Sequence, residues 1–267
     1  MKRWILGAMA ALAGLARPVP VARALVVALA VVFPAVMFGW SSTEAAVPVP
    51  LVCLDPGHGG SDPGAVNGEL HEADINLDVA KALAARLAGD EIDSVLTRTD
   101  DDSTKSSRDR YEFCNAQNAT ILVSVHTNSW SDPLVDGRLA IYFHSDDKLL
   151  AQALHDAMWS KLQPTAPDPT AFTDFDLKRD ALGVLLKSDM PAATAEPVFM
   201  SHPDEAARLT EMVSDCSDAF DNSCRRAQIV EALYNGIVEY LASSPPDGED
   251  DGPGNGKGPP EGRGPGR

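Results

Sequence analysis

Apolar positions along the chain follow two different periods. Short runs at Leu51–Asp55, Ser94–Thr97, Ile121–His126, Leu139–Phe143 and Ala193–Glu196 have the length and composition of buried strands. Between them, apolar residues recur at every fourth position. Ile75, Val79, Leu83 and Leu87 form one such stripe, Leu150, Leu154 and Met158 a second, and Ile229, Leu233, Ile237 and Leu241 a third. A stripe of this spacing marks a helix that lays one face on a core. The last helix is stopped by Ser243-Ser244-Pro245-Pro246. Residues 105–118 are expected to be helical with a weaker period. The alternation predicts an α/β fold: one domain with a mostly parallel twisted sheet, covered by helices on both faces. Ligands in such sheets gather beyond the C-terminal ends of the strands.

The two ends of the chain do not share this pattern. Residues 1–46 are rich in Ala, Val and Leu; Lys2 and Arg3 precede the apolar runs Ile5–Ala16 and Ala24–Trp40, and Thr43-Glu44-Ala45 offers small residues to a signal peptidase. This predicts a signal peptide or, if uncut, a single membrane anchor, with Ala24–Trp40 barely long enough to span. The expected location is the periplasm or the extracellular cell wall. Residues 244–267 are Pro, Gly and charge, too poor in apolar surface to order themselves, and are expected to be a disordered tail. Residues 47–243 remain as one domain of about 200 residues, enough for a well-buried core.

Export makes disulfides possible. Cys216 and Cys224 bracket a polar loop and are expected to close it, whereas Cys53 in the first strand and Cys114 in a helix are read as buried thiols. Cys-x-x-Cys spacing is absent, which argues against a thiolate zinc site. The formal net charge of −17 repels nucleic acid and anionic membrane surfaces. A monomer is expected.

Candidate chemistry sits at the element boundaries. The first strand run turns at Pro56-Gly57 and presents His58, followed by Gly59-Gly60. His126 ends the third strand run, Glu196 ends the last, and Glu72 begins the first long helix. Two neutral imidazoles and one carboxylate form a common catalytic zinc set with a position open for water. Glu196 is then the candidate for moving protons. Each residue alone has a plainer explanation. His58 can shape a turn, Glu72 can stabilise a helix N-terminus, His126 can be a core histidine, and Glu196 a strand-end acid. It is the shared sheet edge that makes the set informative. His71-Glu72 lacks the second histidine of a His-Glu-x-x-His helix, so His71 stays outside the set. His144, His155 and His202 lack a comparable context and are expected at the surface or behind the site.

Five segments occur in a recognisable order: Asp55-Pro56-Gly57-His58 through Gly64; Glu72 through Asn76-Leu77; Thr97-Arg98-Thr99-Asp100 with Arg108 and Asn115; Ser124-Val125-His126-Thr127-Asn128; and Leu182–Leu185, Met190-Pro191 and Glu196 through Ser201. With them the chain resembles the zinc-dependent N-acetylmuramoyl-L-alanine amidases of bacterial cell walls, the amidase-3 group, from about Leu51 to Leu241. The resemblance implies Zn2+ held by His58, Glu72 and His126, with Glu196 as the catalytic residue. It implies peptidoglycan or a muropeptide as substrate, cut at the amide between N-acetylmuramic acid and L-alanine. A catalytically weak domain that binds wall glycopeptide or a partner protein is the alternative, and a zinc peptidase cutting within the stem peptide is another.

Some positions depart from that pattern. Val198 stands where a small residue is usual, His202 where asparagine is usual, and Thr194-Ala195 replace more apolar residues. Val198 is expected to narrow the cleft beside Glu196, and His202 to modulate its proton affinity. Some relatives carry an inserted helix that blocks the zinc. Between His144 and Leu182 there is space for one helix and a Pro-rich loop, so an open site with no obligatory activator is expected.

Overall fold

The chain extends its sheet in both directions from its first strand. The structure, a computed structural model, describes residues 49–216 and 224–243; the expected signal or anchor segment and the expected tail lie outside them. β1 (Leu51–Pro56) leads through a short hairpin, β2 (Val66–Asn67) and β3 (Leu70–His71), into α1 (Glu72–Ala88) and then β4 (Asp93–Leu96), which pairs with one edge of β1. The chain then passes through α2 (Ser107–Ala116) to β5 (Ile121–Val125), which pairs with the other edge of β1. This reversal opens a crevice between the C-terminal ends of β1 and β5, where α/β sheets bind ligands.

The remaining elements are β6 (Gly137–Tyr142), α3 (Asp147–Leu162), β7 (Thr173–Arg179), α4 (Gly183–Leu186), β8 (Ala192–Glu196), α5 (Pro203–Arg208), a 3-10 turn (Val213–Asp215) and α6 (Arg225–Ser243). The sheet order is β4-β1-β5-β8-β6-β7. The β4, β1, β5 and β8 strands are mutually parallel, β6 runs antiparallel to β8, and β7 is parallel to β6. The expected mostly parallel α/β sheet is therefore present, with one antiparallel seam.

Successive strand residues point to opposite faces, and both faces here are apolar because both are covered. On one face Val52, Leu54, Val123 and Ala193 join a core with Val79 and Leu83 of α1, Leu150 and Leu154 of α3, and Ile229 and Leu233 of α6. On the other, Cys53, Leu122 and Ala192 meet Cys114 of α2 and Val184 and Leu185 of α4. The weak period of α2 has a physical reason: only Arg110 and Cys114 are buried, and a capping box fixes its start. Ser106 Oγ accepts from Asp109 N at 3.2 Å, and Asp109 Oδ2 accepts from Ser106 N at 2.9 Å.

Cys53 and Cys114 are not free thiols. Strand alternation aims Cys53 at α2, whose buried side presents Cys114, and the two form a disulfide with Cα atoms 5.7 Å apart. Replacing both with alanine is expected to lower unfolding stability by about 2–4 kcal/mol, read from denaturant midpoints. A loss below about 0.5 kcal/mol would mean that packing alone docks α2. Cys216 and Cys224 are also bonded, as expected.

The apolar pattern of the sequence does not mark β7. Most of its residues are exposed, and its sequence alternates charge with apolar side chains rather than forming an apolar run. Pairing with β6 makes it an edge strand, where charged side chains discourage further pairing. Only one helix, α3, precedes it after His144, so no second helix lies between His144 and Leu182. Among the described residues, no helix is long and apolar enough to cross a membrane.

Candidate metal centre

The loop after β1 is held from behind by two buried arginines. Arg98 donates to the carbonyls of Pro56, Gly57 and Ala73 at 3.0, 2.9 and 2.8 Å. Arg110 donates to the carbonyls of Pro56 and His58 at 2.7 and 2.6 Å. Asp55, buried under the loop, accepts from Arg110 Nη1, Thr97 Oγ1 and Ser124 Oγ at 2.8, 2.6 and 2.7 Å. Charges taken out of water need such partners. The loop they shape holds His58 in the left-handed region at φ 61°, a strained conformation for a non-glycine residue that tends to persist where surrounding structure enforces it.

His126 follows β5 directly, and its backbone N–H donates to Ala195 at 3.1 Å. Val125 is in register with Ala195, so Glu196 is the neighbour of His126 on the adjacent strand. Glu72 opens α1 and turns its carboxylate between the two imidazoles. Oε2 lies 3.1 Å from His58 Nε2 and accepts from Ala65 N at 3.0 Å. Oε1 lies 2.9 Å from His126 Nδ1 and accepts from Thr127 N and Asn76 Nδ2 at 3.2 and 3.3 Å. The ligand atoms of His58, Glu72 and His126 all fall within 4.8 Å of one another. Asp62 Oδ2, 2.9 Å from His58 Nδ1, orients that ring, as carboxylates do behind metal-binding histidines. Two imidazoles and a carboxylate converging in this way can hold a divalent metal ion.

The electrostatics have the same origin. Burial alone would raise the Glu72 carboxyl, but the hydrogen bonds from His126 and His58 prevail and hold it well below the usual carboxylate range. The hydrogen bond to Glu72 raises His58 to about 9 against the opposing effect of burial. Burial pulls His126 down, yet the Glu72 hydrogen bond and the Glu196 and Glu72 charges leave it raised. Burial pushes Glu196 up to about 7; His126 draws it back and Glu72 pushes it further. His58 therefore holds a proton at neutral pH that a metal must displace, and Glu72 draws protons toward His126 as well.

Two glycines make room for this packing. A Cβ on Gly57 would lie 2.2 Å from His126 Cε1, and one on Gly64, at φ 65°, would lie 2.7 Å from Glu72 Oε2. Gly57→Ala is expected to push the His126 ring aside and weaken metal binding by about 10- to 100-fold in a metal titration. Unchanged affinity would show that the ring has somewhere else to go.

Comparison with known proteins agrees with this geometry. Residues 52–237 match the family described as N-acetylmuramoyl-L-alanine amidase. The chain belongs to that family. It is 25% identical over 189 residues to the N-acetylmuramoyl-L-alanine amidase LytC of Bacillus subtilis (strain 168), covering 71% of this chain and 35% of LytC. It is 26% identical over 234 residues to the probable N-acetylmuramoyl-L-alanine amidase AmiB of Haemophilus influenzae, covering 71% of this chain and 51% of AmiB. The chain thus spans less than two thirds of either relative. Among solved structures it is similar to the N-acetylmuramoyl-L-alanine amidase AmiC2 of Nostoc punctiforme, with a TM-score of 0.62 and 29% identity over 73% of this chain and 98% of AmiC2.

Several expectations about this amidase-family chain need correcting. Arg108, one of the residues in the resembling middle segment, is exposed and pairs with Glu112 at 3.3 Å, and it is Arg110, which the sequence did not single out, that holds the loop. Arg110 and Cys114, four residues apart, share the face of α2 that its docking turns inward. Val198 does not narrow the cleft: it is fully buried in the core, while its carbonyl accepts from Asn128 N at 2.9 Å. His202 is not among the strongest influences on Glu196, which are burial, His126, Glu72, His58 and Lys178. His155 is buried rather than at the surface, because β7 brings Asp174 to within 2.9 Å of its Nε2. His71 stays outside the cluster, its Nδ1 3.6 Å from Asp74. Asn115 joins α2 to the segment before β8, donating to Lys187 O at 3.1 Å and accepting from Asp189 N at 3.1 Å.

Two other features compete for attention. Glu211, Cys216 and Cys224 also cluster, but the two sulfurs are bonded to each other and are not thiolate ligands. A groove of about 860 Å³ runs between the β2–β3 hairpin, α1 and α5, and it is lined by His71 but by none of His58, Glu72, His126 and Glu196. Chemistry rather than size picks out the metal cluster.

Proposed function

We propose that this chain is a zinc-dependent N-acetylmuramoyl-L-alanine amidase, hydrolysing the amide between the lactyl group of N-acetylmuramic acid and L-alanine in peptidoglycan. The observation that carries the reading is the convergence of His58, Glu72 and His126 within 4.8 Å, with Glu196 beside His126 on the next strand. Family membership supports the bond and the substrate class. The donor set suits Zn2+, which bound there would supply a Lewis acid for the amide carbonyl and a water acidic enough to react at neutral pH.

The chain's own residues account for the other steps. Asp62 fixes the ring orientation of His58, and Thr127 N and Ala65 N fix that of Glu72. Glu196 takes the proton of the attacking water and returns it to the departing amine nitrogen. Burial pushes that carboxyl up toward neutral pH, the direction both duties call for, since a proton carrier works best with a pKa near the working pH. Residues 1–46 would direct the enzyme out of the cell as a signal peptide or anchor, placing it at the wall that holds its substrate. A non-catalytic wall-binding role loses its main motive once Val198 lies in the core.

The direct test is chelation. The purified protein should release stem peptides from muropeptides, lose that activity in a chelator, and regain it when Zn2+ is restored. Activity indifferent to chelation would remove zinc from the reading.

A further inference from the structure

Three exposed apolar side chains lie in segments at the carboxyl end of the parallel strands, the end where His58, Glu72 and His126 converge. Trp130 is 61% exposed, Leu134 77% and Phe175 40%. Trp130 and Leu134 lie in the segment joining β5 to β6, which starts at His126. Because β6 is antiparallel to β8, with Leu139 opposite Glu196, that segment stays at the carboxyl end of the parallel strands. β7 enters at the same edge, with Thr173 opposite Gly137, and its register shifts between Arg138 and Ala140. Phe175 falls in that irregularity, with its ring 5.3 Å from that of Phe199.

Trp130 is exposed on a firmly held backbone. Asn128 N donates to Val198 O at 2.9 Å, Met200 N donates to Asn128 O at 2.8 Å, and Trp130 N donates to Ser201 Oγ at 2.9 Å. Three bonds thus join residues 128–130 to the segment that follows Glu196. An indole on a firmly held backbone, left mostly in water beside other exposed apolar side chains, offers a ligand a ready surface, and exposed apolar patches mark binding sites.

We infer that Trp130, with Leu134 and Phe175 on the same edge, is a platform for the N-acetylhexosamine rings of the glycan strand. The inference rests on the amidase reading, in which the severed amide joins peptide to sugar, so that a sugar must lie beside the metal cluster. A pyranose ring has a face of C–H groups, which carry the partial positive charge that an indole face attracts. Its hydroxyls need polar neighbours, and exposed Ser129 and Asp132 flank Trp130 in sequence. A bilayer suits this edge poorly, because a net charge of −17 repels anionic lipid.

The test uses full-length, zinc-loaded protein sedimented with wall glycan strands stripped of their stem peptides, alongside turnover of intact peptidoglycan. Wild type should bind the stripped glycan. Trp130→Ala should bind about tenfold more weakly, equivalent to about 1.4 kcal/mol, and raise KM on intact peptidoglycan by a similar factor with much less effect on kcat. Trp130→Phe should recover most of the binding, since it restores an aromatic face. Leu149→Ser, also exposed but near the start of α3 at the opposite edge, should bind as wild type does. If Trp130→Ala does not fold, Leu134→Ser carries the same comparison. Unchanged binding by Trp130→Ala, or an equal loss in Leu149→Ser, overturns the platform. So does a wild type that frees stem peptides without binding stripped glycan, which leaves the amidase reading intact. Trp130-dependent glycan binding with no release of stem peptides overturns the amidase reading instead.

Discussion

Glu196→Ala should lower turnover by about 100- to 10,000-fold while the protein keeps its metal. The separation of the two effects follows from position. Glu196 ends β8 and neighbours His126, but it is not in the group of three whose ligand atoms converge. Removing its carboxyl leaves those ligands in place and takes away the group that moves the proton. Glu196→Gln should be nearly as damaging, because an amide of the same shape cannot accept a proton from water. The pH dependence has a definite sign. The base must be ionised to act, burial has pushed it up to about 7, and a divalent charge beside it would draw it lower. Activity should therefore fall as pH drops through an acid limb at or below about 7, and the Glu196→Gln remnant should lack that limb. Full turnover in Glu196→Ala would assign proton transfer to another group.

His126→Ala should lose both metal and activity. Glu72 then faces a single imidazole, and two remaining ligands hold zinc far more weakly than three. Substituting even the partners behind metal ligands costs about 10- to 100-fold in affinity, so loss of a ligand should exceed that. Protons compete for the same site. With His58 raised to about 9 and His126 also raised by Glu72, the metal-free protein carries protons at neutral pH that the metal must expel. Metal affinity should weaken as pH falls, by about tenfold per pH unit for each proton released. Calorimetry in buffers of different ionisation heat measures that release. Metal content close to one per chain in His126→Ala would place the ion elsewhere.

The convergence of His58, Glu72 and His126, with Glu196 alongside, was legible in sequence because each marks an element boundary. His58 and His126 follow apolar runs and Glu72 precedes a four-residue stripe, so strand and helix ends predicted their meeting at one sheet edge. What supports them was harder to see. Arg108 and Arg110 both lie in a polar helix, and two residues apart on a helix means nearly opposite faces; only the docking of α2 on β1 decides which one turns inward. The Cys53–Cys114 bond depends on the same docking. β7 escaped notice because an edge strand in water keeps charged side chains, and with it went the burial of His155 and the influence of Lys178 on Glu196. Val198 was misplaced because a residue just past a strand end can turn either to the cleft or to the core, and spacing alone does not tell which.

The most direct measurement is the mass spectrum of products from a defined muropeptide incubated with the metal-loaded protein. Cleavage at the proposed bond yields an intact sugar bearing a free lactyl carboxylate and a stem peptide beginning at a free L-alanine amine. Fragments cut within the stem peptide, or an unchanged muropeptide after prolonged incubation with zinc-loaded protein, would contradict it.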